Sequence, residues 1–141
     1  MKNSLEGFAI DHLGVAVKSV AAAKKFYELL GLPVLGEEVV EHEQVRVAMV
    51  PLGESRIELL EPTSDNSVIA RFLAKRGEGL HHVALSVPDL ASTIERLKRE
   101  GTRFVTEEIK IGAGGHLYVF VHPSSTGGVL VELVEDPPQG V

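Results

Sequence analysis

Apolar and polar residues alternate in short runs along this chain. Between those runs apolar residues recur at every third or fourth position. From Ala9 to Val17 the alternation has a period of two, which predicts a strand. Ser19 then supplies an N-cap. Val20, Ala23, Tyr27 and Leu30 follow at helical spacing, and Gly31 stands where a helix-ending glycine belongs. Apolar runs near Val34, at Val45–Pro51 and at Arg56–Leu60 predict three more strands, the last two joined by a turn at Gly53-Glu54-Ser55. The order then starts again. Leu80–Val87 predicts a strand. Asp89 caps a helix whose apolar stripe is Leu90, Ile94 and Leu97, and Gly101 ends it. Strands are predicted near Phe104, at Tyr118–His122 and at Val129–Leu133, with Ser124–Gly128 as the final turn. A short helix over Val68–Arg76, capped by Ser67 or Asn66, links the two series, and Pro137–Val141 reads as a frayed tail.

The recurrence is a repeat of sequence as well as of pattern. Laying His12 over His82 superposes Ile10-Asp11-His12-Leu13-Gly14-Val15-Ala16-Val17 on Leu80-His81-His82-Val83-Ala84-Leu85-Ser86-Val87. Val20 falls over Leu90, Gly31 over Gly101, and Glu37-Glu38 over Glu107-Glu108. With a small slip, Ile57-Glu58-Leu59-Leu60-Glu61 falls over Val131-Glu132-Leu133-Val134-Glu135.

Strand parity sorts these residues by face. Leu13, Val15 and Val17 oppose His12, Gly14 and Ala16. Val83, Leu85 and Val87 oppose His82, Ala84 and Ser86. Ile57 and Leu59 oppose Glu58, and Val131 and Leu133 oppose Glu132. The large apolar faces are expected to pack on the helices. The other faces carry His12, Glu58, His82 and Glu132 among small residues. A lone strand glutamate ordinarily faces water, and a lone histidine is ordinarily a hydrogen-bonded structural residue. Here His and Glu occupy equivalent positions in both repeats. If the two modules pair about a pseudo-twofold axis, all four converge into one set of two imidazoles and two carboxylates. That set suits a hard-to-borderline divalent ion such as Zn, Co, Mn, Ni or Fe(II), and leaves coordination positions open for a chelating substrate.

Composition narrows this picture further. The chain has 141 residues, about the size of one domain with a core of its own. It has no cysteine, so thiolate ligands and disulfides are excluded. A net charge of -6 argues against a general nucleic-acid partner. No apolar stretch approaches the roughly 20 residues of a membrane helix, and Met1–Gly7 has no signal-peptide pattern, so a cytoplasmic location is expected.

Several stretches resemble a known family: Ile10-Asp11-His12, Ile57-Glu58-Leu59-Leu60-Glu61-Pro62, Gly79-Leu80-His81-His82-Val83-Ala84, Glu107–Gly115, Phe120-Val121-His122-Pro123 and Gly127–Leu133. Together they resemble the vicinal oxygen chelate superfamily and, within it, the methylmalonyl-coenzyme A epimerases, over about residues 8 to 135. The resemblance implies an α+β fold. One domain over 1–141 would hold two βαβββ modules, about 8–62 and 79–135, with a linking helix about 67–76. Together they would build one eight-stranded, incompletely closed barrel-like sheet.

It also implies a homodimer with one divalent metal ion (Co, Zn, Mn, Ni or Mg) on His12, Glu58, His82 and Glu132. The implied substrate is methylmalonyl-CoA, inverted by proton removal and return through a metal-stabilised enolate. Glu132 is expected as one base, because the family's equivalent is both ligand and base. Glu58, at the pseudo-symmetric position, is expected as the other.

Three departures from the family pattern stand out. Glu58 lies where many bacterial members have Gln. Val47, in Val45-Arg46-Val47-Ala48-Met49, lies where several have a catalytic Glu. Ser124 replaces a Lys after His122-Pro123 that would contact the coenzyme A phosphates. Glu43 and Gln44 lie near the missing acid, and Glu43 reads as a solvated loop residue. His81 and His122 read as structural. Gly112–Gly115 reads equally as a plain turn or a substrate-covering loop, with His116 after it. Phe26 and Tyr27 read as core or interface. The rival readings are a glyoxalase I-like lactoylglutathione lyase, whose two-His, two-Glu shell this chain shares, and a non-catalytic small-molecule binding protein of the same fold. An extradiol dioxygenase fits less well, since its iron site uses two His and one carboxylate.

Overall fold

A computed structural model describes residues 6–136 of the chain, so the tail expected at Pro137–Val141 lies outside the described residues. The elements run β1 (Ala9–Ala16), α1 (Val20–Leu29), β2 (Leu35–Val40), β3 (Val45–Leu52), β4 (Ser55–Pro62), α2 (Val68–Arg76), β5 (Gly79–Ser86), α3 (Leu90–Arg99), β6 (Lys110–Ile111), β7 (Leu117–Val121) and β8 (Val131–Glu135). The strands hydrogen-bond in the order β2-β3-β4-β1-β5-β8-β7-β6, one eight-stranded sheet of the expected α+β class.

The helices begin where their caps place them. Ser19 Oγ accepts from Ala22 N–H, Ser67 Oγ from Ala70 N–H, and Asp89 Oδ1 from Ser92 N–H. Gly31 and Gly101 follow α1 and α3 with φ of 94° and 89°, a backbone setting that only glycine adopts freely. One predicted strand is absent. Phe104 makes only an isolated bridge to Val121, and the edge strand β6 forms later, at Lys110–Ile111. Phe104 is apolar because it packs on the core beneath α3.

The contacts divide the chain into two compact units, His12–His81, and residues up to Asp11 with those from His82 onward. In the first unit, Val17, Val20, Ala48, Val50 and Leu59 form the core, with Val15, Ala23, Tyr27 and Ile57 packed against it. The apolar face of β1 and β4 is therefore the face under α1, as parity requires. In the second unit, Val87, Leu90, Ile94, Val119, Val121 and Leu133 play the same part, with Val131 and Leu97 beside them. Fully buried leucines such as Leu59 and Leu90 each contribute roughly 1.5–3 kcal/mol of burial free energy.

Each unit ties its last strand to its first helix in the same way. Glu61 Oε1 accepts from Val20 N–H at 2.8 Å, and Glu135 Oε1 accepts from Leu90 N–H at 2.7 Å. In both cases a carboxylate meets an orphan amide at a helix N-terminus, where the helix dipole favours negative charge.

Candidate metal centre

Six polar or charged residues are buried among the described residues: His12, Glu58, Ser67, His82, Thr93 and Glu132. Two of them have ordinary structural reasons. Ser67 caps α2, and Thr93 Oγ1 donates to Asp89 O at 2.7 Å. The other four are the residues singled out from the repeat, at 3%, 6%, 6% and 8% exposure for His12, Glu58, His82 and Glu132. Burying two carboxylates is costly unless each is matched by a positive partner or a metal.

The two units present these residues with one local geometry. In the first, β1 and β4 run parallel, and Gly14 stands opposite Glu58. His12, two residues before Gly14, shares that face, and its Nε2 lies 3.5 Å from Glu58 Oε1. In the second, β5 and β8 run parallel, and Ala84 stands opposite Glu132. His82, two residues before Ala84, lies with Nε2 2.9 Å from Glu132 Oε1.

The donor chemistry fits a divalent ion. Each unit offers an imidazole nitrogen and a carboxylate oxygen side by side and out of water, with no thiolate among them, an N/O set of the zinc, cobalt or manganese kind. His82 and Glu132, 2.9 Å apart, belong to a group able to hold a metal ion. Glu58 is outside that group, and its surroundings differ. Arg56 Nη2 lies 2.8 Å from Glu58 Oε2, and Arg56 Nε donates to the same oxygen at 3.0 Å. Arg56 stands opposite His12 in the β1–β4 ladder, so it belongs to the same face. Sequence reasoning missed Arg56, although its two-residue spacing from Glu58 was a signal for it.

The neighbours are not all small, as parity on single strands suggested. Phe120, opposite Glu132 in the β7–β8 ladder, stands edge-on to the His82 ring, with centroids 5.3 Å apart and planes at 89°. Tyr118 packs edge-on to Phe120 in turn, and lies in a small cluster with Ala84 and Val134. Phe120 thus meets His82 in a favourable T-shaped geometry.

The remaining candidates fall into place separately. Val47 is buried on β3 opposite Leu60, on the face of Glu58, so an apolar side chain fills the position of the family's acid. Glu43 sits in a one-turn 3-10 segment, partly exposed, with His42 at 3.8 Å. His81 packs edge-on to Phe72 of α2 at 5.0 Å, a structural contact. His122 is structural too: its Nδ1 accepts from Ser124 N–H at 3.0 Å, which caps the turn at Pro123–Ser125. Ser124 is used within that turn. Gly112–Gly115 forms a tight turn over Ala113–Gly115, and the following His116 has its Nδ1 3.3 Å from Asp136. Tyr27 packs against the core of its unit, whereas Phe26 is 61% exposed and touches the Tyr27 ring edge-on.

Comparison with known proteins gives this geometry a context. Residues 11–120 match the family described as the Glyoxalase/Bleomycin resistance protein/Dioxygenase superfamily. Bovine mitochondrial methylmalonyl-CoA epimerase is 43% identical over 127 residues, covering 88% of this chain and 72% of that one. The crystal structure of methylmalonyl-CoA epimerase from Mycobacterium tuberculosis is 37% identical, with a TM-score of 0.87 over 92% of this chain and 89% of its own. A methylmalonyl-CoA epimerase solved in complex with methylmalonyl-CoA and NH4+ is 36% identical, with a TM-score of 0.87 over 92% of this chain and 94% of its own.

Proposed function

As a member of the glyoxalase/bleomycin resistance protein/dioxygenase superfamily, and within it of the methylmalonyl-CoA epimerase family, this chain is one that we propose inverts the α-carbon of methylmalonyl-CoA. The observation that carries this reading is the match of nearly the whole chain to epimerases, joined to two buried His–Glu pairs at equivalent repeat positions. His12, Glu58, His82 and Glu132 would hold one divalent cation, with Co, Zn, Mn, Ni and Mg as candidates. Bound there, the cation would supply Lewis acidity to the thioester and carboxylate oxygens, contributing where charge develops on proton removal.

The chain's own carboxylates move the proton. Epimerisation removes the α-proton from one face and returns a proton to the other, which needs two bases. Glu132 serves as one, its carboxylate held against His82 on a strand rather than a loop. Glu58 serves as the other, from the equivalent place in the first unit. Val47 takes no part, and its apolar side chain keeps water off that face of β3. The active protein is a homodimer located in the cytoplasm, without nucleic-acid or membrane partners.

The test is deuterium incorporation from solvent into methylmalonyl-CoA, with Co²⁺ or Zn²⁺ added and with chelator. Metal-dependent exchange at the α-carbon supports the reading. Absence of exchange with every metal tried would overturn it. A second reading, lactoylglutathione lyase activity, is favoured by the two-His, two-Glu donor set. Turnover of the glutathione hemithioacetal in preference to methylmalonyl-CoA would establish it instead.

A further inference from the structure

We infer that Arg56 is the positioning residue of the candidate metal centre: it grips one oxygen of Glu58 and leaves the other as the only oxygen offered to the cation. This rests on the metal-centre reading above and adds a residue to it. Two donors of one planar guanidinium, Nη2 at 2.8 Å and Nε at 3.0 Å, both meet Glu58 Oε2. Oε1 is the oxygen that faces His12 Nε2, at 3.5 Å. The two oxygens of one carboxylate are thus assigned to different tasks by the residues around them.

The strand register explains why Arg56 can do this. Arg56 and Glu58 alternate on β4 and so share a face, and His12 stands opposite Arg56 across the β1–β4 ladder. The pair is largely out of water, with side-chain exposures of 18% and 7%. Charge-assisted bonds from a rigid fork are strong and directional in such a place, and they cost less ordering than bonds from a flexible lysine. Charge balance points the same way. Two carboxylates would cancel a divalent cation and blunt its pull on a substrate oxygen. The guanidinium restores one positive charge next to Glu58, so its carboxylate stays matched while it remains buried.

The second unit has no counterpart to Arg56. Leu130, at the equivalent place two residues before Glu132, is apolar. The two carboxylates are therefore not equivalent in setting. Glu132 meets His82 directly at 2.9 Å, whereas Glu58 is anchored from behind by a cation.

Isothermal titration of the purified, metal-stripped full chain with Co²⁺ tests the inference. Arg56→Met is expected to weaken Co²⁺ binding by about 10- to 100-fold, the usual loss when an outer hydrogen-bond partner of a ligand is removed. Arg56→Lys keeps the charge but loses the fork, and is expected to fall between Met and wild type. In a Glu58→Gln background the effect of Arg56→Met disappears or reverses. An amide has one oxygen, for which Arg56 and the cation compete, so removing Arg56 frees it. Equal weakening by Arg56→Met in both backgrounds, or none beside Glu58, overturns the assignment. Thermal melting of each metal-free variant checks that it folds. Should wild type bind Co²⁺ and His82→Ala abolish binding, the metal-centre reading stands whatever Arg56→Met does. Should wild type bind no divalent ion, both fall together.

Discussion

Glu61 reaches from the end of β4 to the first amide of α1, where its Oε1 accepts from Val20 N–H at 2.8 Å. It lies three residues beyond Glu58, so parity turns it to the opposite face of the strand. Glu135 repeats the bond to Leu90 N–H from three residues beyond Glu132. Glu61→Ala and Glu135→Ala are each expected to lower stability by about 1–2 kcal/mol, the cost of an uncapped, partly buried amide. Urea unfolding measures this, and the metal affinity of the folded variants should stay near wild type. Loss of affinity without loss of stability would show that these carboxylates belong to the centre instead.

The cation is expected to stabilise the fold. A ligand that binds only the native state adds about 2.7 kcal/mol at 100 times its Kd. Adding Co²⁺ or Zn²⁺ to metal-stripped protein should raise Tm, and chelator should reverse the rise. His12→Ala and His82→Ala should melt at nearly the same temperature with and without metal. A full metal-induced shift in both variants would mean that the ion sits elsewhere.

Glu132→Gln tests the proposed base and ligand roles of Glu132 together. Solvent-exchange rates with methylmalonyl-CoA are expected to drop by at least 10²- to 10⁴-fold, the usual contribution of a positioned acid–base group. Raising the metal concentration until the variant is saturated should not restore the rate. Recovery at high metal would leave Glu132 as a ligand alone.

Glu58→Gln separates the two tasks proposed for Glu58. With metal saturating, exchange should again fall by about 10²-fold or more if the carboxylate carries a proton. Full activity at saturation would remove Glu58 as a base while allowing it as a ligand. Solvent deuterium exchange followed from each stereoisomer of the substrate sharpens the result, because losing one of two bases slows proton removal from one side only.

Much of the fold was legible because strand parity and helix caps are local. Ser19, Ser67 and Asp89 cap the helices they were expected to cap. The repeat gave a reason for four polar residues to be buried, and they are. What sequence reasoning missed depends on register between strands. Phe120 meets His82 only because β7 and β8 align Phe120 with Glu132, an alignment set by the turn at Pro123–Ser125. Parity on one strand does not reveal a neighbour on the next. Arg56 shares the strand of Glu58, but the direction in which a long side chain folds depends on what else occupies the face. Phe104 shows the converse: its apolar character reported contact with the core under α3, not membership of a ladder.

The spacing from Glu58 to Glu61, repeated from Glu132 to Glu135, has a consequence for how such a chain can change. Within four residues each last strand carries a buried glutamate on one side and a helix tether on the other. Substitutions there can be judged singly. An added or deleted residue between them would put both on one side of the strand, so that either the tether or the buried glutamate would face the wrong way. These two segments are therefore reading frames in a structural sense, open to point mutation and closed to insertion. Any duplication that copied one would pass on its chemistry and its anchorage as a single inherited piece.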